Sequence, residues 1–354
     1  MSMDLNNNMF NGLLSKLPPP PDGKSGFPWN QETENLSNSE LDIDFYPKIS
    51  IITPSYNQGQ FLEETIRSVI LQNYPNLEYI IIDGGSTDNS IEIIQKYANY
   101  LSYWVSEKDN GQSHAINKGL KKVSGDIWAY INSDDRYEKG TFQKVAAQFK
   151  QDSSIYWVTG YAEYINEIGV VLERLIPSAF SGVKEALIRW EGPIRGVAIQ
   201  VSNFMSTKIL KNYGFFDESL HYCMDSEFNM RLLVDNITPK IIPDVLAQAR
   251  LHSQSKTVSK GRLGLFREED FQIIPKFLPK LSIQDQIYVK HKISECKFFM
   301  DLRKVASFYE TRQVGKFITE TSRMLVQHPS YLSHRATWGM FRQALGLTKT
   351  RISH

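Results

Sequence analysis

Two adjacent carboxylates, Asp134 and Asp135, directly follow the apolar run 127–131. Adjacent like charges repel each other, and a cation bound nearby relieves that repulsion. A small number of carboxylate oxygens suits Mg²⁺ or Mn²⁺ that shares its coordination with substrate phosphates. The pair therefore predicts a divalent metal site, with the cap of a helix over residues 138–150 as the alternative interpretation.

Polar clusters also follow three other apolar runs, at residues 53–57, 83–88 and 106–112. Each cluster alone is open to a structural interpretation, because Ser and Asp often cap helices and Asn-Gly often forms a turn. In an open α/β sheet, however, ligands bind outside the carboxyl ends of the strands. The clusters are therefore predicted to converge with residues 132–135 on one ligand site.

The elements that must position these clusters alternate between residues 48 and 150. Short β-branched runs indicate strands, and stretches with helical spacing of apolar residues indicate helices. Strands that alternate with helices predict an α/β fold with a Rossmann-like, mostly parallel sheet flanked by helices. The predicted strands are 49–53, 77–82, 103–106 and 127–131, and the predicted helices are 60–72, 88–98 and 112–122.

The chain is predicted to have three regions, namely an irregular leader over 1–46, a catalytic domain over 47–260 and a helical region over 261–354. The leader is rich in Pro and polar residues and lacks a sustained apolar period. Its apolar side chains are predicted to dock on the body, namely Leu13, Leu14, Phe27 and Trp29. Further strands are predicted at 155–160 and 198–204, and further helices at 208–212, 226–235, 266–277, 282–304 (with Ser282 as its N-cap) and 308–327.

Composition excludes several classes of protein. The 354 residues are 41% hydrophobic and 22% charged, with a net charge of +1, so bulk electrostatics predict no nucleic-acid partner. There is no signal pattern, and no apolar run approaches the roughly 20 residues of a membrane span, which predicts a cytoplasmic protein. Cys223 and Cys296 are predicted to be free thiols, with a disulfide as the alternative. The absence of Gly-x-Gly-x-x-Gly and Gly-Lys-Ser/Thr motifs argues against a dehydrogenase and a P-loop enzyme.

Five motifs occur in a fixed order between Lys48 and Ser259. They are ISIITPSYNQGQFLEETIRSVILQNYPNLEYIIIDGGSTDNS, SEKDNGQSHAINKGL, GDIWAYINSDD, GFFDESLHYCMDSEFNMRLL and RLHSQSKT. In this order they resemble family 2 of the glycosyltransferases, which has the GT-A fold. The resemblance implies an inverting enzyme that moves a sugar from a nucleotide-sugar donor, with a UDP-sugar favoured, to a hydroxyl of a saccharide or lipid-linked saccharide.

The resemblance also implies a set of donor-binding residues. Gly84 departs from the commoner Asp-Asp form of the base- and ribose-binding turn, and Asn132 replaces the first acid of the Asp-x-Asp metal motif. The usual carboxylate contact to uracil, the identity of the base and the exact metal ligand are therefore open. The implied donor-binding residues are Thr53, Pro54, Ser55, Tyr56, Asn57, Asp83, Gly84, Asp109, Gly111, Gln112, Asn132, Ser133, Asp134, Arg250 and Lys256.

Three further roles follow from the resemblance. Asp225 matches the general base, although an acid at the start of a helix also suits a cap. His252 matches a late histidine near the metal and diphosphate, with a structural hydrogen bond as the alternative. Arg250 and Lys256 lie in the same segment and are predicted to cover the diphosphate. The implied metal ligands are Asp134, Asp135 and His252.

The last residues, 323–354, contain basic residues and no acid. Trp338, Phe341 and Leu345 fall at helical spacing and predict an amphipathic helix. Such a helix either packs on the catalytic domain or a second subunit, or contacts an anionic membrane surface. The basic residues are Arg323, Arg335, Arg342, Lys349 and Arg351.

Two other functions share this pattern. A GT-A nucleotidyltransferase would need a Gly-rich, basic phosphate loop after the first strand, and residues 53–58 have neither property. A non-catalytic nucleotide-sugar-binding module would keep the polar strand ends but transfer no sugar.

Overall fold

The computed structural model describes residues 12–34, 46–178, 182–188, 199–259, 264–327 and 329. The chain divides into two compact units, Met1–Ile273 and Ile274–His354. Within the described residues, the first unit holds a nine-stranded sheet in the order β3-β2-β1-β4-β8-β6-β9-β5, with β7 paired to β6. The strands are β1 Ile49–Ser55, β2 Leu77–Asp83, β3 Tyr103–Ser106, β4 Ile127–Tyr130, β5 Arg136–Tyr137, β6 Trp157–Ile165, β7 Val171–Leu175, β8 Phe204–Ser206 and β9 Lys240–Arg250.

Strands β1 to β4 form the predicted parallel half of the sheet. The pairs β1–β2, β2–β3 and β1–β4 are all parallel, so their carboxyl ends lie at one edge. Every residue of β1 is buried, as a strand covered on both faces requires. The helices of this unit are α1 Gly59–Ile70, α2 Ser90–Lys96, α3 Gln112–Leu120, α4 Thr141–Gln151, α5 Val183–Leu187, α6 Lys208–Tyr213, α7 Met224–Val234, α8 Lys256–Ser259 and α9 Leu265–Phe277, which ends in the second unit.

Strand β1 runs past Pro54 to Ser55, whereas the sequence predicted its end at residue 53. Strand β4 pairs only with Ile49–Ile52, so the side of β1 that faces β4 is unpaired at Pro54. A proline is tolerated there because the N–H that it lacks has no ladder partner to lose.

Strand β9 was not predicted from the sequence. It pairs in parallel with β6, but the register shifts between the pairs Gly160–Ile242 and Tyr161–Val245. The shift leaves Pro243 and Asp244, two residues typical of turns, in the middle of the strand. Because Pro and Asp are rare in the middle of strands, the sequence pattern does not indicate β9. The strand predicted at 198–204 is wrong over most of its length, because Gln200–Ser202 forms a 3-10 helix and strand β8 covers Phe204–Ser206.

Residues 12–34 of the leader dock on the sheet unit. Leu17 and Trp29 are buried, and Leu13, Leu14 and Phe27 pack against the main hydrophobic core, as predicted. These contacts place the leader segment in the folded body although it has little regular secondary structure.

The described part of the second unit includes the helices α10 Ile283–Glu310 and α11 Val314–Gln327. They pack through Phe298, Val305 and Met324. Ser282 is the N-cap of α10, as predicted, since its hydroxyl accepts a hydrogen bond from the Asp285 N–H. Helix α10 ends at Glu310 and not at 304.

The predicted tail helix lies outside the described residues, together with Trp338, Phe341, Leu345 and the basic residues beyond Arg323. In the described part, no helix is long and apolar enough to cross a membrane. The two cysteines are free thiols, as predicted.

Candidate active site

Asp83, at the end of β2, builds the loop that follows it. Its Oδ2 accepts hydrogen bonds from the N–H groups of Gly85 and Ser86 and from the Ser106 hydroxyl, and its Oδ1 accepts from the Ser86 hydroxyl. The residue is 0% exposed. Both oxygens thus accept hydrogen bonds within the protein, and the contact of Asp83 with the base or ribose stays a prediction.

Asn57 ties the loop after β1 to the loop after β2. Its N–H donates to the Ser86 hydroxyl at 2.8 Å, and its side-chain oxygen accepts from the Thr87 N–H at 2.7 Å. Asn57 has a φ of 50°, a left-handed conformation that Asn tolerates better than most residues. Asn57 therefore shapes the crevice between β1 and β2.

The other residues of the first loop differ in exposure. Thr53 and Pro54 are buried, and the Thr53 hydroxyl lies 3.0 Å from that of Tyr79. The buried Ser55 hydroxyl finds no partner among the described residues. Tyr56 is 62% exposed, an unusual degree for a tyrosine beside a crevice. Tyr56 is thus the accessible aromatic group of this loop.

A hydrogen-bonded chain joins the end of β4 to α3 and α8. The Asn132 amide donates to Asp135 at 3.0 Å, and its oxygen accepts from the Gln112 amide at 2.6 Å. Lys256 then donates to Gln112 at 2.8 Å and to the His221 carbonyl at 2.7 Å. The structure therefore brings together Asn132, Gln112 and Lys256, which were predicted to bind the donor, whereas Ser133 is buried beneath them.

Asp134 and His252 form a close pair at the same edge. Asp134 Oδ2 lies 2.9 Å from His252 Nε2, and Oδ1 has no hydrogen-bond partner in the described part of the chain. The His252 ring packs on Phe61 with centroids 4.9 Å apart. No group of three or more His, Cys, Asp or Glu residues suited to a metal occurs among the described residues. Two ligands nevertheless fit Mg²⁺ or Mn²⁺, which keep few protein ligands and bind substrate phosphates.

Asp135 has a different environment from Asp134. It is 5% exposed, and its Oδ1 accepts the Arg250 N–H at 2.8 Å while Oδ2 accepts from Asn132. Burial, with the neighbouring charge of Asp134, raises the pKa of Asp135 well above its usual range. Asp135 therefore ties the segment between β4 and β5 to the end of β9.

The guanidinium group of Arg250 is hydrogen-bonded by the protein. Its side chain is 1% exposed and bonds to Glu64 at 2.9 Å and to the carbonyls of Asp134, Asn166 and Glu167. Diphosphate binding by Arg250 stays a prediction, whereas its observed contacts join β9 to Glu64 and to the backbone. Glu64, which also pairs with Arg136, was missed because its partners are distant in sequence.

Asp225 lies half-buried in the first turn of α7, and its Oδ1 accepts the Ser226 N–H at 2.7 Å. It lines a cavity with Tyr130, Gln200 and Asn229. Burial, with the carboxylates of Asp225 and Asp135, raises the pKa of Tyr130 well above its usual value. Tyr130, at the end of β4, therefore lines the same cavity as Asp225 and lies close in sequence to Asn132 and Asp134.

Glu269 of α9 organises the segment that precedes Asp225. Its carboxylate accepts the N–H groups of His221, Tyr222 and Cys223 at 2.7, 2.7 and 2.5 Å. Helix α7 has no side-chain cap of its own at Cys223, and Glu269 of another element binds the N–H of this N-cap residue and of the two residues before it. Nothing in the sequence around Glu269 indicated this contact.

The family model of glycosyl transferase family 2 matches residues 50–214, the segment that contains β1 to β8. Residues 50–214 are therefore similar to glycosyl transferase family 2. An uncharacterized glycosyltransferase of Rickettsia conorii is 26% identical over 249 residues, which are 69% of this chain and 40% of that protein. TuaG of Bacillus subtilis, provisionally named a teichuronic acid biosynthesis glycosyltransferase, is 33% identical over 133 residues, 37% of this chain and 52% of its own length. The chain thus spans about half or less of these relatives.

Solved structures share the fold. TarS of S. aureus superposes with a TM-score of 0.54 at 16% identity over 87% of this chain and 56% of TarS. A TarS fragment in complex with UDP-GlcNAc gives 0.52 at 17% identity over 84% of this chain and 80% of the fragment. The mannosyltransferase PcManGT from Pyrobaculum calidifontis, in complex with GDP-Man and Mn²⁺, gives 0.50 at 17% identity over 87% of this chain and 83% of its own. The predicted GT-A fold is confirmed.

Proposed function

We propose that this chain is an inverting glycosyltransferase that moves a sugar from a nucleotide-sugar donor to a hydroxyl of a saccharide or lipid-linked saccharide. The observation that carries the proposal is geometric: the Asp134–His252 pair lies just after β4, and Tyr130 of β4 lines a cavity together with the Asp225 carboxylate. The Asp134–His252 pair suits a diphosphate leaving group, and the Asp225 carboxylate suits removal of a proton from an acceptor hydroxyl.

The proposed binding site of the donor lies along the carboxyl ends of β1 to β4. Tyr56 faces solvent there, and Asn132, Gln112 and Lys256 form the polar chain beside the acidic pair. The fold is shared with structures that hold UDP-GlcNAc and GDP-Man, which supports a nucleotide-sugar donor, with a UDP-sugar favoured.

Asp134 and His252 are proposed to hold a divalent cation, Mn²⁺ or Mg²⁺. When bound, such an ion supplies positive charge that stabilises the leaving diphosphate. Lys256 adds a second positive charge nearby. Its pKa is lowered, because partial burial outweighs the attraction of Glu269 and Asp225.

Asp225 is proposed to accept the proton of the acceptor hydroxyl. The hydroxyl oxygen then forms a bond to the anomeric carbon as the bond from that carbon to the diphosphate oxygen breaks. Because the attack comes from the face opposite the diphosphate, one displacement inverts the configuration. The name of TuaG supports a saccharide acceptor. Membrane contact or self-association through the basic tail remains a prediction.

The test replaces Asp225 with Asn, which keeps the size of the side chain and removes the base. Calorimetry with a nucleoside diphosphate and Mn²⁺ is expected to give unchanged donor affinity, while transfer falls at least about 100-fold. Transfer at the wild-type rate would move the base elsewhere. Donor binding without transfer in the wild-type protein, across a panel of saccharide acceptors, would favour the non-catalytic binding module.

A further inference from the structure

One side of helix α1 packs against the proposed metal ligands, Asp134 and His252. The Phe61 ring lies on the His252 ring with the two centroids 4.9 Å apart. Glu64 and Thr65 follow Phe61 at the spacing of one helical turn, so the three side chains lie on the same side of α1. The contacts of this side of the helix therefore bear on the proposed metal site.

Glu64 holds the arginine that connects the two proposed ligands. Arg250 donates from Nε to the Asp134 carbonyl at 3.0 Å, and His252 follows Arg250 closely in the chain. The Arg250 side chain is 1% exposed, and its Nη2 donates to Glu64 Oε2 at 2.9 Å. Burial lowers the pKa of Arg250, and the charge of Glu64 opposes that shift most strongly. A buried guanidinium needs such a partner, so Glu64 keeps Arg250 in its position.

Glu64 and Thr65 also hold the chain on both sides of the proposed metal-binding aspartate. The Thr65 hydroxyl lies 3.0 Å from the carbonyl oxygen of Ser133 and 2.6 Å from that of Asp135, and it donates to both. Glu64 Oε1 accepts a hydrogen bond from Arg136. The segment 133–136 is thus bonded to α1 before and after residue 134.

The Asp134 carboxylate itself has few contacts that could orient it. Oδ2 lies 2.9 Å from His252 Nε2, and Oδ1 accepts no hydrogen bond within the described ranges. The position of this carboxylate therefore depends on how firmly its backbone is held. Residues that orient metal ligands without touching the metal commonly change metal affinity when they are replaced.

We propose that Glu64 is a positioning residue that holds Asp134 beside His252 and thereby sets the affinity of the site for a divalent cation, with Thr65 supporting the same segment. Neither side chain contacts the cation or the donor, because both act through Arg250 and the backbone. The inference rests on the proposed function, since it concerns the metal site proposed there.

The experiment measures the affinity for Mn²⁺ in the presence of UDP or GDP, by electron paramagnetic resonance of the free ion, for the wild-type chain and Glu64→Gln. The glutamine keeps the length of the side chain, but its one oxygen can replace only one of the two carboxylate oxygens. We expect the dissociation constant of Mn²⁺ to rise about 10-fold. The affinity for the diphosphate without Mn²⁺, measured by calorimetry, should change less than about twofold.

Glu78→Gln is the matched control for a general loss of stability. Glu78 is 8% exposed, as is Glu64, and it binds Lys48 and Ser124 at the opposite end of the parallel strands. We expect a lower melting temperature in both variants and an unchanged Mn²⁺ affinity in Glu78→Gln. An equal loss of Mn²⁺ affinity in the two variants would overturn the positioning role, because destabilisation alone would then explain it.

Thr65→Val tests the same segment without changing a charge, and it decides the question if Glu64→Gln does not fold. The valine removes the hydroxyl and keeps the shape, and we expect the dissociation constant of Mn²⁺ to rise about threefold. Thr141→Val is its control. Thr141 is also 0% exposed, and its hydroxyl donates to the carbonyls of Glu138 and Leu246 at 2.9 and 2.7 Å. Equal Mn²⁺ affinities in the two valine variants would contradict the support from Thr65.

The outcomes separate this inference from the proposed function. A wild-type chain that binds no Mn²⁺ with either diphosphate removes the metal from the proposed function, and the positioning role falls with it. Wild-type binding of Mn²⁺ with an unchanged affinity in folded Glu64→Gln overturns only the positioning role. A selective loss of Mn²⁺ affinity in Glu64→Gln, with Glu78→Gln unchanged, supports it.

Discussion

At the scale of single residues, Asp134 and Asp135 are neighbours in sequence with different environments. Asp135 is buried and bonded through both oxygens to Arg250 and Asn132, so it ties the segment between β4 and β5 to the end of β9. Asp134 keeps one oxygen without a partner in the described part and faces His252. A carboxylate that is already satisfied by the protein has less to gain from a cation, so we assign the metal to Asp134 and His252.

A metal-binding variant tests this assignment. Mn²⁺ is expected to raise the melting temperature of the wild-type chain in the presence of a nucleoside diphosphate, because ligands that bind only the folded state stabilise it. Asp134→Asn should lose the Mn²⁺-dependent part of the shift. Asp126→Asn is the control, since Asp126 precedes the same strand at its opposite end, where it binds the Lys48 N–H. A full response in Asp134→Asn together with a lost response in Asp135→Asn would transfer the ligand role to Asp135.

At the scale of elements, the position of Asp225 depends on how α7 begins. The first N–H groups of a helix need partners from outside the helix. Here the Glu269 carboxylate on α9 accepts three consecutive N–H groups just before Asp225. A contact between α9 and the segment before α7, and not the sequence of α7 alone, therefore fixes the start of the helix that carries the proposed base.

Glu269→Gln should lower the rate of transfer more than donor binding. The amide keeps one acceptor oxygen but loses the charge and one of the acceptors, which costs about 1–2 kcal/mol of stability. We expect kcat to fall about 10-fold or more while the affinity for the nucleoside diphosphate stays within about twofold. Glu268→Gln, an exposed neighbour on α9, is the control. Unchanged kcat in Glu269→Gln would show that the cap does not position the base.

At the scale of the whole molecule, Arg67 joins the leader to the sheet unit. It is 0% exposed and donates to the carbonyls of Pro18, Pro28 and Trp29 and to the Tyr97 hydroxyl. Tyr97 in turn donates to Glu63, which carries the compensating charge. The leader segment 12–34 is thus held by a buried cation on α1.

Arg67→Met should therefore destabilise the fold and release the leader. The change leaves three buried carbonyls without their donor, and removing one partner from such a network costs about 3–5 kcal/mol. Thermal unfolding measures the loss, and limited trypsin digestion at Lys16 or Lys24 measures the release of the leader. Lys144→Met, which removes an ion pair between two exposed side chains, with Asp244, is expected to change stability by less than about 1 kcal/mol. Equal melting temperatures for the two variants would contradict the role of Arg67.

The sequence by itself determined the parallel strands β1 to β4, the polar residues at their ends and the family resemblance, because these depend on local periodicity and on motif order. The tertiary structure decided which polar atoms remain available for a ligand. Arg250 is bonded to Glu64 across 186 residues, and Asp135 to the Arg250 N–H across 115. Strand β9, which the sequence pattern does not indicate because it contains Pro243 and Asp244, makes both contacts possible. Whether a polar group is hydrogen-bonded by the protein depends on partners that only folding brings near. Asp83 and Arg250 are bonded by the protein. Asp134 and Asp109 each keep one carboxylate oxygen without a hydrogen bond from the described residues.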